Sequence, residues 1–321
     1  MTLTSFSQDE YQAAKKYLAS RVAYMMGRKF EEGDWAHVYC RARNISLPDW
    51  SNLHADIVIP GLSLEHKMIR CSETQAIKEH CGTDMMHPAL TRRVTLPDAG
   101  DAEEAMNLVI QGYQLVLNDR IKKVRAISKE KVAEIRTGWL LYESSLSEFL
   151  YFEEKTENLD PSKHRAVWKE RIAHGEGGRR SNKNLWIYNR STGRKVWSVT
   201  GVGAGTKIQP YFTVPAADDQ NLCYFRVQGE PAPGENVRIW ITEPTANNLI
   251  RILGGLEAGL ISNAIHNAPK SESVQECETA EEPVHQITIP KSAYISLVDK
   301  FRGVSDEHRF QLLYQKLSRS S

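Results

Sequence analysis

The sequence predicts an α/β protein in which a mixed sheet is flanked by helices and followed by a β-rich C-terminal half. Three observations lead there. Apolar residues recur at helical spacing near the N-terminus, a strand, turn, strand pattern occupies 55–70, and short aromatic and β-branched runs succeed one another after residue 184. The 321 residues are 41% hydrophobic and 25% charged, a balance that excludes disorder, collagen-like repeats and a membrane bundle and allows one large or two modest domains.

The chain opens with a capping-box pattern, Ser7 to Glu10, followed by Tyr11, Ala14, Leu18, Val22 and Met25 at helical spacing, which predicts a first helix. After a break at Gly27, KFEEGDWAHVYCRAR predicts a second helix with an acidic start, turning Phe30, Trp35, Val38 and Tyr39 inward. ADIVIPGLSLEHKMIR at 55–70 predicts a β-hairpin, because Pro60-Gly61 stops both strand and helix between two apolar runs. From Asp101 to about Ile127 a long amphipathic helix is expected, capped by Asp101 and Glu104. Ala105, Val109, Tyr113, Val116, Arg120 and Val124 define its mostly apolar stripe, whose use is core packing or a dimer contact.

Residues 130–157 are expected as further helix ending in the acidic EEKTE. HGEGGRRSNKN at 174–184 reads as a Gly-rich basic loop, after which NLWIYN, KVWSVTG, KIQPYFTV, LCYFRVQG and VRIWIT read as strands, their aromatic residues as core. Residues 244–266 return to helix, 268–283 read as a flexible linker, and a strand and helices close the chain.

The charge balance of 41 Lys+Arg against 40 Asp+Glu means that an anionic partner must be met by a local basic patch, since the molecule has no strong overall field. The five cysteines, at 40, 71, 81, 223 and 277, include no C-x-x-C pair, so neither a disulfide framework nor a zinc ribbon is indicated and a cytoplasmic location is expected. Cys71, His80, Cys81 and His87 read as free thiols and histidines rather than a zinc site. No apolar leader opens the chain and no stretch approaches the roughly 18 apolar residues of a span, so no membrane partner is expected. GVGAGTK at 201–207 reverses the Lys-Thr order of a phosphate loop and runs into a strand, so no nucleotide cofactor is expected.

The chemistry concentrates in the hairpin. Asp56 lies on its first strand, while Glu65 and Lys67 lie two apart on the second, where alternation puts both on one face and His66 on the other. Two carboxylates at one spot are the hard oxygen ligands that Mg²⁺ prefers, leaving waters to meet a substrate phosphate. An ammonium beside them can orient a metal-bound water or steady a charged phosphoryl transition state.

Asp56, eight intervening residues, then Glu65-His66-Lys67 resembles the motif of the PD-(D/E)xK nuclease superfamily, which includes most type II restriction endonucleases. Ala55 stands where a proline often precedes the aspartate. The resemblance implies a restriction-endonuclease-like fold, with Asp56 and Glu65 as metal ligands, the backbone carbonyl of His66 completing them, and Lys67 as the catalytic lysine. GRKFE at 27–31 is similar to the first-helix pattern of the resolvase branch, which implies a supporting role for Glu31. A second acid-x-Lys triplet, Glu153-Glu154-Lys155, has no Asp within the 20 residues before it and lacks the hairpin frame.

The expected partner is double-stranded DNA. Arg92 and Arg93, in HPALTRRV, together with Arg179, Arg180, Lys183 and Asn184 suit phosphate and base-edge contacts, although a solvated surface loop at 174–184 is the competing reading. The expected function is thus a Mg²⁺-dependent, type II restriction-like endonuclease that leaves 5′-phosphate and 3′-hydroxyl ends and acts as a homodimer on a palindromic site. Residues 1–160 are expected to carry the nuclease core, 161–267 a β-rich recognition region, 268–284 the linker and 285–321 the closing elements. A structure-specific repair or recombination nuclease is the first alternative. A DNA-binding protein without catalysis, in which Lys67 merely pairs with Glu65, is the second.

Overall fold

A computed structural model describes residues 2–25, 29–46, 55–72, 75–87, 94–97, 100–128, 133–175, 178–202, 205–270, 283–303 and 305–320. In chain order the elements are β1 (Thr2–Leu3), α1 (Gln8–Met25), α2 (Glu32–Ala42), β2 (Ile57–Ile59), β3 (Leu62–Cys71), β4 (Asp84–Met86), α3 (Ala102–Ser128), β5 (Glu134–Glu143) and β6 (Glu148–Lys155). There follow β7 (His164–Gly175), β8 (Gly178–Asn189), β9 (Lys195–Val202), β10 (Gly205–Thr213), β11 (Cys223–Arg226), β12 (Glu230–Ala232) and β13 (Asn236–Thr242). The chain closes with α4 (Glu243–Leu253), α5 (Ala258–Asn267), β14 (Val284–Pro290), α6 (Lys291–Lys300) and α7 (Asp306–Ser320).

Among the described residues these make a mixed α/β protein with three sheets. The first runs β1-β6-β5-β3-β2, with β11 also paired to β6. It is mixed because β3 and β5 are parallel while its other pairs are antiparallel. The second, β4-β10-β9-β8-β7, and the third, β12-β13-β14, are antiparallel.

The N-terminal helices form where local signals place them. The Ser7 N–H donates to Glu10 Oε2 at 2.7 Å and the Glu10 N–H donates to Ser7 Oγ at 3.3 Å, closing the expected box before α1. Leu18 and Val22 of α1, with Trp35 and Val38 of α2, are buried against Leu64, Leu140 and Phe149 on one face of the first sheet. Each large side chain so buried contributes about 1.5–3 kcal/mol. Asp101 Oδ1 caps α3 by accepting from the N–H groups of Glu103 and Glu104 at 2.9 and 3.0 Å. Val109 and Ile110 of this helix then pack on Leu185, Ile187 and Val199, the inner face of the second sheet.

Within 130–157, expected as helix, the described residues instead form the strands β5 and β6, the two innermost of the first sheet, while 130–132 lie outside the described residues. Leu140 and Leu141 are both buried, as are Phe149, Leu150, Tyr151 and Phe152, because both faces of this sheet are covered. A strand covered on both faces loses the polar alternation that distinguishes it from a helix, and its apolar run becomes ambiguous. The Glu153-Glu154-Lys155 triplet therefore ends a strand rather than a helix.

The basic stretch 174–184 also differs from expectation. Apart from 176 and 177, outside the described residues, it is strand, the closed end of a long β7–β8 hairpin in which Gly175 faces Gly178. The five runs read as strands are strands, but they are shared out. β8, β9 and β10 belong to the second sheet, β11 returns to the first and β13 lies in the third. The stretch 161–267 thus contributes to all three sheets, and α6 and α7 share a core with β13, α4 and α5 around Ile239, Leu249, Ile289 and Phe310. Gly27, Cys277 and most of the expected linker, 271–282, lie outside the described residues. Among the described residues no helix is long and apolar enough to cross a membrane.

Candidate active site

The hairpin β2–β3 is closed by Pro60 and Gly61, the latter at φ 75°, a left-handed conformation that glycine adopts without a Cβ penalty. Asp56 stands one residue before β2, and its Oδ2 accepts the backbone N–H of His66 at 2.5 Å, which pins it across the hairpin. Alternation along β3 does the rest. His66 is fully buried on the α1–α2 side, with Trp35 and Tyr39 at ring-centroid distances of 6.3 and 5.2 Å. Glu65 and Lys67 point to the opposite side of the strand and pair with each other.

α3 completes the group. Arg120 donates from Nη1 to Glu65 Oε2 while Lys67 Nζ holds Oε1, so each carboxylate oxygen has its own cation. Tyr113, two turns earlier on the same helix face, feels the charge of both Glu65 and Arg120. His87, next to β4, lies close enough to Lys67 and Glu65 to feel both charges, and its ring packs against Trp139 at 5.7 Å.

The two carboxyls are driven in opposite directions. Burial pushes Asp56 up to about 6, and the charges of Glu32 and Glu65 add to that against the pull of the His66 N–H and Lys67. Burial would raise Glu65 as well, but the charges and hydrogen bonds of Lys67 and Arg120 outweigh it and hold the group down at about 2. Burial, followed by the charge of Lys67, lowers His66 to about 3 and His87 to about 4, so both rings are neutral near pH 7. At that pH Glu65 is a clamped anion, while Asp56 ionises at a cost that a cation brought beside it would relieve.

Close packing supports the site from behind. Gly138 of β5 stands beside His66 in register, and a Cβ there would lie 2.8 Å from His66 Cδ2 and closer still to the Tyr151 hydroxyl. Below it the fully buried Glu153 accepts from Tyr39 at 2.9 Å, Tyr151 at 3.0 Å and Arg136 at 3.0 Å.

Asp56, Glu65 and Lys67 are thus brought together, and the His66 side chain is directed away from them. Glu31 is the exposed N-cap of α2, its N–H donating to Asp34 Oδ2 at 2.9 Å, and the acid of this helix that acts on Asp56 is its neighbour Glu32. Arg92 and Arg93 lie outside the described residues. Arg179, Arg180, Lys183 and Asn184 lie on β8, and the last two, being consecutive in a strand, project to opposite faces. Asn184 Oδ1 accepts from Thr200 Oγ1 at 2.7 Å, and among the described residues no hydrogen bond or ion pair joins Lys183 or Asn184 to the Asp56 group.

Arg120 had a visible signal, a charged residue on an otherwise apolar helical stripe. Glu32 and His87 had none that separates them from neighbouring acids and histidines. Among the described residues no three His, Cys, Asp or Glu side chains gather as a metal cluster. A Mg²⁺ held here would rest on Asp56 and Glu65 and keep water in its remaining positions, which suits that ion. Searches of family models, curated proteins and solved structures found no match to this chain.

Proposed function

We propose that the chain is a PD-(D/E)xK-type endonuclease with a restriction-endonuclease-like core, which hydrolyses double-stranded DNA at a specific sequence with the help of Mg²⁺. One observation carries this reading. Asp56, Glu65 and Lys67 converge at a β-hairpin whose second strand runs parallel to the next strand of a mixed sheet backed by α1 and α2. The raised carboxyl of Asp56 supports it, because a buried acid pressed by two other acids favours a bound cation.

In this reading Asp56 and Glu65 hold the ion, with the His66 carbonyl as the backbone ligand. When bound, Mg²⁺ would supply a water of lowered pKa and charge stabilisation at phosphorus. Lys67 would orient the attacking water in line with the scissile phosphorus. Arg120 holds Glu65 ionised and in place, and its distance from the hairpin in sequence makes α3 a brace for the site. A homodimer would match a palindromic target.

Glu65 held by both Lys67 and Arg120 is also what a passive ion-pair network looks like, and this favours the non-catalytic DNA-binding alternative. Incubation of purified protein with phage and plasmid DNA, with and without Mg²⁺, separates the two. Discrete metal-dependent fragments that vanish in Lys67→Ala are the expected result. Cleavage limited to junction or flap substrates would favour a structure-specific nuclease, and no cleavage of modified or unmodified DNA would remove the nuclease reading.

A further inference from the structure

The aromatic residues of the second sheet do not all enter the core. Leu185 and Ile187 of β8 are buried against α3, so alternation turns Trp186 and Tyr188 to the other face, where both are partly exposed. Tyr211 of β10 shares that face, and none of the three belongs to a buried cluster. Each ring carries a cation. Lys195 Nζ lies 3.4 Å from the Trp186 ring centre and 4.8 Å from that of Tyr211, and the Arg165 guanidinium lies 4.8 Å from Tyr188.

The register extends the pattern into rungs. Lys169, Asn184, Thr200 and Lys207 lie side by side across β7, β8, β9 and β10, and the adjacent rung carries Trp186, Ser198 and Gln209. Among the described residues the acid on this face is Asp84 at the β4 edge. It is already paired with Arg194, whose Nε donates to Oδ2 at 3.0 Å. Arg165, Lys169, Lys195 and Lys207 make no ion pair among the described residues.

We propose that this face binds a single strand of DNA. Cations meet the phosphates, partly exposed ring faces stack on unpaired bases, and the Asn184 and Gln209 amides offer base-edge contacts. A cation over an exposed ring is held more weakly than a base stacks, so a base can replace Lys195 on Trp186 while the ammonium turns to a phosphate. A duplex presents only base edges and backbone and would leave the rings without a counterpart, which argues for a single strand. The choice of DNA over RNA rests on the nuclease reading.

The test is fluorescence anisotropy of a labelled oligodeoxythymidylate against the full chain without divalent cations, with tryptophan quenching as a second signal. The single strand should bind more tightly than a duplex or an RNA of equal length. Trp186→Ala and Tyr188→Ala should each weaken binding about tenfold with an unchanged circular dichroism spectrum, while Trp186→Phe retains most affinity. Equal or tighter binding of duplex or RNA, or undiminished affinity in Trp186→Ala, would overturn the proposal. Mg²⁺-dependent cleavage without single-strand binding would overturn it and spare the nuclease reading, whereas binding without cleavage would support it and sink the nuclease reading alone.

Discussion

Arg120 and Glu65 lie 55 positions apart in the chain, yet the guanidinium of one holds a carboxylate oxygen of the other. Lys67 holds the second oxygen from within the same strand. Both partners of the Arg120 pair are about a quarter exposed, at 24% and 22%, so solvent only partly screens it.

Arg120→Ala removes one of the two cations and should cost about 2 kcal/mol, in the range for hydrogen bonds to charged groups. Urea denaturation measures it. In a double-mutant cycle with Glu65→Gln the two losses should fall short of additivity by about 1 kcal/mol or more. Simple additivity would mean that the pair does not act as a unit.

Asp56 gives a pH signature of definite sign. Its folded pKa of about 6 lies above the ordinary carboxylate value, so the folded state binds the proton more tightly than the unfolded one. Ionisation therefore costs stability, with a penalty that is absent below about pH 4, grows to about pH 6 and is constant above. Asp56→Asn should leave stability unchanged at low pH and raise it by on the order of 3 kcal/mol above pH 6, at 1.36 kcal/mol per pKa unit. A gain of equal size at every pH would contradict the assignment.

Mg²⁺ draws on the same group. Added at pH 8, it should raise the Tm of the wild type, and it should have little effect at pH 5, where Asp56 is protonated, or in Asp56→Asn. A shift that persists in the variant would place the ion elsewhere.

His66 has its own window. Among the described residues neither ring nitrogen has a hydrogen-bond partner, and the ring is neutral down to about pH 3. The unfolded chain takes up that proton near its ordinary pKa, so this residue's contribution falls as pH drops from about 6.5 toward 3. His66→Phe, which keeps the aromatic packing, should flatten the acid limb of the stability curve by up to about 1.4 kcal/mol per pH unit. An unchanged slope would show that His66 is solvated.

Gly138→Ala drives a methyl group into His66 and the Tyr151 hydroxyl, neither of which sits at the end of a flexible chain. A loss of about 1–3 kcal/mol is expected from overpacking, read as a lower denaturation midpoint with an unchanged m-value. Any activity should fall with it, because His66 carries the N–H that positions Asp56.

The N-terminal helices, the hairpin and α3 were legible in the sequence because each rests on local rules: a capping box, a helical stripe, a Pro-Gly turn. The placing of Glu65 and Lys67 on one side of a strand, with His66 on the other, followed from alternation alone. The five later strand runs, the helical stretch 244–266 and the closing strand and helices were legible too, but how they are shared among the sheets waited for tertiary contacts. β5 and β6 were masked by burial on both faces, which erases the alternation that marks a strand. Which side of β8 carries Trp186 depended on where α3 packs, and Glu32 rather than Glu31 acts on Asp56 because of the rotation of α2 against the hairpin. The charge state of Glu65 was decided the same way, since the energy of a buried carboxylate depends on how near the cations stand in space, and Arg120 reaches it only because packing brings α3 to the hairpin.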